Sequence, residues 1–165
     1  MSAFWQGMAD SLRAELAEYG RLLQLFEEQQ ALLLKRDAPG VRRVTDAIDE
    51  QVEVVVECRR NREKATGNFA RAHGMPDSST LRSLIPLVLD EARPLMDALV
   101  ADMNHMVSRL RRISRHNRLF LIRTIETHQE ILKRIRPGSF TKIYSPNGRV
   151  TVAPFQRVAA FAAEG

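Results

Sequence analysis

The stretch DSLRAELAEYGRLLQLFEEQQALLLKRDAPG, Asp10 to Gly40, decides the fold class. Its apolar residues Leu12, Leu16, Tyr19, Leu23, Phe26 and Leu33 recur at alternating steps of four and three, with one gap at Gln30. That spacing puts them on one stripe of a helix and not on one face of a strand. Asp37-Ala38-Pro39-Gly40 then interrupts the pattern with turn-forming residues, and so short a connection predicts an antiparallel partner helix.

Working outward, Val41, Val44, Ile48, Val55, Cys58, Ala65 and Phe69 repeat the spacing up to about Ala72, where Gly74 and Pro76 give a stop signal. Arg62 falls on the same seam, so the hairpin is expected to loosen or open to solvent there. Asp77-Ser78-Ser79 offers caps for a further short helix, which Pro86 and Pro94 break or kink. Leu99, Met103, Met106, Leu110, Ile113, Asn117, Phe120, Thr124 and Ile131 then mark the seam of one long helix that Pro137-Gly138 ends.

The expected fold is therefore all-α: a long antiparallel helical hairpin plus a third long helix in a coiled-coil-like bundle, with a flexible C-terminal tail. The expected helices cover about 10–36, 41–73, 79–92 and 94–136. The bundle would occupy 1–138 and the tail 139–165. In the tail, Pro146-Asn147-Gly148 separates short β-prone runs around Ile143 and from Val150 to Val152. Phe140, Ile143, Tyr144, Val152, Phe155 and Phe161 are more apolar matter than a linker requires, and they either pack back on the bundle or meet a partner.

Composition agrees with packed helices. Of 165 residues, 44% are hydrophobic but only 6% are aromatic, which implies an aliphatic core. The single Cys58 can form no internal disulfide and suits a reducing compartment. Met1 to Arg13 lacks the pattern of a secretory signal, and no apolar run is long enough to span a bilayer, so a cytoplasmic protein without membrane insertion is expected.

The net charge of +5 is concentrated: Arg109 to Arg136 holds nine Arg and Lys residues against Glu126 and Glu130. Such a segment can meet nucleic acid, an acidic protein or anionic lipid, or can be a solvated face.

Residues for catalysis do not assemble in the sequence. His73, His105, His116 and His128 form no His-x-x-x-His pair, and Asp102 with His105 supplies only half of a carboxylate-bundle iron site. His105 and His116 lack the lysine and glycine that follow a phosphotransfer histidine. Cys58 lies on a helical seam and not in a reactive setting, and no phosphate-cradling glycine loop or nucleophile elbow occurs. No catalytic residue, metal, cofactor or small-molecule substrate is therefore expected.

Asn117 is the polar exception in an aliphatic seam, where an amide either bonds across the bundle or fixes register. Just beyond it Leu119, Phe120, Leu121, Ile122 and Ile125 put apolar groups nearly all round the helix. Either several elements surround this segment, or it presents a groove for an amphipathic helix of another protein.

The heptad hairpin with Glu28-Gln29-Gln30-Ala31-Leu32, the long helix from Leu110 to Leu121 around Asn117 and the tail with Tyr144-Ser145-Pro146-Asn147-Gly148 resemble the FlgN-like flagellar export chaperones. Members of that family often carry a Tyr followed shortly by Gly after the last long helix. They often show two Asn separated by two residues, where this sequence has Ser114 and Asn117. The resemblance implies a chaperone that binds C-terminal helical segments of flagellar hook–filament junction proteins and delivers them to the type III export gate. The apolar surplus after Asn117 and the resemblance together point to a partner-binding surface comprising Asn117, Phe120, Leu121, Ile122, Ile125, Phe140, Ile143, Tyr144 and Gly148: the surplus puts Leu121, Ile122 and Ile125 on the client, and the resemblance implies Tyr144 on a gate component. A helical scaffold or secretion accessory protein is the alternative, and a nucleic-acid-binding regulator ranks below it. The sequence leaves the oligomeric state open.

Overall fold

A computed structural model describes residues 2–135, 140–144 and 150–154, with side chains placed over 5–135. It contains α1 (Ser2–Leu34), α2 (Ala38–Ala72), α3 (Leu81–Leu84) running into a 3-10 turn (Ile85–Leu87), α4 (Arg93–Ile135), β1 (Phe140–Tyr144) and β2 (Val150–Pro154). The chain divides into two compact units, Met1–Leu119 and Phe120–Gly165, so the boundary falls inside α4 and not near 138.

In the first unit α1 and α2 form the antiparallel hairpin. Arg36 takes a left-handed φ of 57° to close α1, and the Asp37 carboxylate accepts the Gly40 N–H at 3.0 Å to start α2, with Pro39 in its first turn. Gly40 leaves room for its neighbours, since a Cβ there would push aside the Asp37 carboxylate that caps α2 and come 2.9 Å from Leu32 Cδ2. At the other end Gly74, at φ +69°, lets the Met75 N–H reach back to the Ala70 carbonyl at 2.9 Å.

The helix expected over 79–92 is much shorter than that. Thr80, not Asp77-Ser78-Ser79, caps α3 through the Ser83 N–H at 3.2 Å. Pro86 has no N–H to give the helix, so α3 tightens to 3-10 geometry and Val88 turns extended. The side chain of Arg93 then donates to the carbonyls of Val88 and Pro86, satisfying groups the helix left open. Pro94 is the second residue of α4, where a missing N–H costs nothing, and it starts the helix without kinking it.

Within the first unit α4 runs parallel to α1. Met96 and Leu99 pack with Met8, Leu12, Phe69, Leu84 and Val88 in one apolar cluster. Leu110 packs with Tyr19, Leu22, Leu23, Ile48 and Val55 in a second. Between and beyond them lie two polar layers.

The first is Glu15, whose side chain is only 2% exposed and pairs with Arg62, with Arg59 Nε 3.8 Å from its other oxygen and the Arg59 guanidinium donating to the Tyr19 hydroxyl. This corrects the expectation at Arg62. On its Glu15 side the seam stays closed, because the guanidinium compensates a buried carboxylate, while the Arg62 side chain itself keeps 19% exposure. The second layer holds Gln29, Thr45 and Asn117.

In the second unit α4 continues from Phe120 to Ile135, and β1 pairs antiparallel with β2, Tyr144 opposite Val150 and Phe140 opposite Pro154. The expected tail therefore contains a hairpin built from the two β-prone runs on either side of Pro146-Asn147-Gly148. Gly148 itself, with the turn, lies outside the described residues.

Candidate functional site: partner-binding surfaces on the last long helix

Asn117 faces inward. It is 1% exposed, and its Nδ2 donates to the Phe26 carbonyl at 2.8 Å and to Gln29 Oε1 at 3.1 Å. Gln29 Nε2 donates in turn to Thr45 Oγ1 at 3.0 Å, and that hydroxyl donates to the Val41 carbonyl at 2.7 Å. One continuous set of hydrogen bonds thus ties α4 to α1 and α2, and Asn117 belongs to this internal link and not to the surface.

Sequence reasoning placed a gap at Gln30 and missed Gln29. The signal was present but divided. Leu12, Glu15, Tyr19, Leu22, Phe26, Gln29 and Leu33 also alternate threes and fours, and the adjacent Leu22 and Leu23 serve either frame. The structure uses the frame that contains the two polar residues.

The other sequence-selected residues divide by exposure. Phe120 and Leu121 are half-buried, whereas Ile122 is 40% and Ile125 44% exposed, and Ile131, Leu132 and Ile135 are exposed as well. Within the second unit α4 thus carries aliphatic groups into solvent over several turns, beyond the scattered single residues that soluble surfaces normally show. Phe140, Ile143 and Tyr144 lie on β1. Ile143 stands opposite Thr151, and Tyr144 is the last residue of its strand.

Among the described residues, two depressions of the first unit stand out. A groove of about 300 Å³ between α1 and α4 has Leu23 and Ile113 in its lining, with Gln30, Arg112 and His116 beside them and Arg109 held to Glu27 at 3.3 Å. A more polar hollow of about 480 Å³ lies beside Arg62, Thr66, Ser79 and Thr80. The sequence flagged the arginines but not the groove, which forms only when α1 and α4 are set side by side.

Cys58 is half-buried, and burial first, then the carboxylates of Glu18, Glu15 and Glu57, push its thiol pKa up. The thiol therefore stays protonated near neutrality and makes a poor nucleophile. Among the described residues no group of three or more His, Cys, Asp or Glu side chains could hold a metal ion, and no helix is long and apolar enough to cross a membrane.

The first unit is thus an aliphatic three-helix bundle with a polar register link, and the second holds an exposed apolar stretch of helix and a two-stranded hairpin. The family model for FlgN protein matches residues 1–151.

The chain belongs to the FlgN family.

The FlgN match runs from α1 through α4 and ends inside β2, so it includes both the exposed helix extension and Tyr144. No curated protein and no solved structure matches the chain. Membership makes this a flagellar export chaperone in the general sense, from a family of chaperones and not of enzymes.

Proposed function

We propose that this FlgN-family protein is a cytoplasmic chaperone that covers C-terminal helical segments of flagellar hook–filament junction proteins and hands them to the type III export gate. The observation that carries this reading is the exposed aliphatic face of α4 in the second unit, with Ile122 and Ile125 outward. A junction protein awaiting export has apolar helix of its own to hide, and an aliphatic helix face is its natural complement. Leu121 and Phe120, half-buried beside that face, fill in its edge. Binding of this kind needs no nucleotide, and its reversibility suits delivery. The free thiol of Cys58 suits a reducing compartment. Tyr144, at the end of β1 and within the family match, is reserved for the gate, with Phe140, Ile143 and Gly148 supporting it.

The test is co-expression with hook–filament junction proteins followed by pull-down and affinity measurement. Ile122→Asp is expected to weaken client binding by about 2 kcal/mol or more, because an anchor is lost and a charge must be desolvated. Tyr144→Ala is expected to leave client binding unchanged and to reduce export. The control is thermal melting. Ile122→Asp should melt like the parent protein while Ile113→Asp, at the half-buried seam, melts far lower, and equal losses would remove the client face from consideration.

A further inference from the structure

From Met103 to Ile125 the chain contains no Asp or Glu, yet it carries Arg109, Arg111, Arg112, Arg115, Arg118 and Arg123 on one helix. Like charges four residues apart repel, so this arrangement works against the helix unless something else benefits. Among the described residues only Arg109 of this set finds a carboxylate, that of Glu27. Arg112 and His116 are exposed on the wall of the α1/α4 groove, above Leu23 and Ile113, and among the described residues neither pairs with Glu27, the carboxylate of that lining, which Arg109 holds. Leu119, 48% exposed, continues the same line, since positions 112, 116 and 119 fall on one stripe of a helix.

We infer that the groove between α1 and α4, with Leu23 and Ile113 as its apolar floor, Arg112 and His116 as its polar wall and the exposed Leu119 next along the stripe of Arg112 and His116, docks an acidic, amphipathic helix of a partner protein. This surface lies in the first unit and is separate from the client face proposed at Ile122 and Ile125. The chemistry selects a protein over other anions. A planar guanidinium takes a carboxylate or a phosphate through two parallel hydrogen bonds, so the discrimination comes from the aliphatic lining, which rewards Leu-like side chains that a sugar–phosphate chain does not have. The Glu27 carboxylate beside the groove repels a continuous run of phosphates, whether from nucleic acid or from a lipid surface, while a helix with spaced carboxylates can turn an apolar residue towards it. The Gln30 side chain supplies one more hydrogen-bonding group at the edge.

The full-length protein would be titrated against a fluorescein-labelled peptide of Glu-Ala-Leu-Glu repeats, read by anisotropy. The reversal Arg112→Glu is expected to weaken binding by about tenfold. Arg111→Glu, the same charge change one residue away on a face turned from the groove, should cost about twofold or less. Leu119→Ser in the protein, and Ser for Leu in the peptide, should each weaken binding too. Equal losses from Arg111→Glu and Arg112→Glu would reduce the effect to general charge attraction and overturn the proposal. So would tighter binding of a short single-stranded RNA or of phosphatidylglycerol vesicles, or a concentration-dependent dimer of the free protein that Arg112→Glu abolishes. Circular dichroism checks the fold of each variant. If the reversal unfolds the protein, Arg112→Gln takes its place with an expected loss of about threefold, and an unchanged affinity in that variant also overturns the proposal. Ile122→Asp should bind the peptide normally, so failure here and failure of the client face are told apart by different variants.

Discussion

At Glu15 a single carboxylate sits in the middle of the first unit with its charge met by Arg62 and approached by Arg59. Removing one partner of a buried pair leaves the other charge uncompensated, whereas replacing both with aliphatic groups of similar volume is often neutral. Arg62→Leu is expected to destabilise the protein by about 3 kcal/mol, and Glu15→Leu combined with Arg62→Leu to recover most of that. Urea denaturation of the two singles and the double measures it, and a double variant as unstable as the singles together would show that the pair does not act as a unit. Residue identities of this kind were only half legible. The sequence put Arg62 on a seam, but it could not show that Glu15, one residue from the apolar Leu16, would turn inward to meet it. Two frames of the heptad pattern competed on α1, and only the contact with α2 and α4 decides between them.

Elements were more legible than residues, and the reasons differ from one to the next. The turn between α1 and α2 was readable because Asp37, Pro39 and Gly40 are each suited to one position in it. Gly40→Ala should therefore cost about 1 to 3 kcal/mol by overpacking, as the new methyl group meets the Asp37 carboxylate and Leu32. A thermal melt of the variant checks it, and an unchanged midpoint would mean that the turn relaxes freely. By contrast the segment after Asp77 was overextended, since its capping residues and its Leu spacing both advertise helix while Pro86 withdraws a donor in the middle. Pro94 illustrates the opposite error, because a proline inside a periodic run looks like a break and here begins a helix. The β-prone runs around Ile143 and Val152 were visible, but pairing between them depends on a long-range register that a periodicity count does not contain.

For the whole molecule, the all-α class followed from sustained spacing in three segments, while the division into two units did not, because α4 keeps its helical pattern across the boundary. What changes is the company its side chains keep. Met96, Leu99 and Leu110 are buried, whereas Ile122, Ile125, Ile131 and Ile135 are exposed. Amides of α4 from 121 to 135 should accordingly exchange with solvent faster than those from 96 to 117 in the free protein, since local opening is easier where fewer apolar contacts must be broken. Hydrogen exchange read by mass spectrometry checks this, and uniform protection along α4 would mean that the exposed face is already covered.

The amide ladder from Asn117 through Gln29 to Thr45 also sets a rule for motion. Seven residues before Gln29 on α1 stands Leu22, so α4 slid back by one heptad would bring the Asn117 amide against an aliphatic side chain and leave Gln29 without its partner. Aliphatic stripes alone would tolerate that slip almost indifferently. With the amides in place, a bundle that parts its helices has one alignment to come home to.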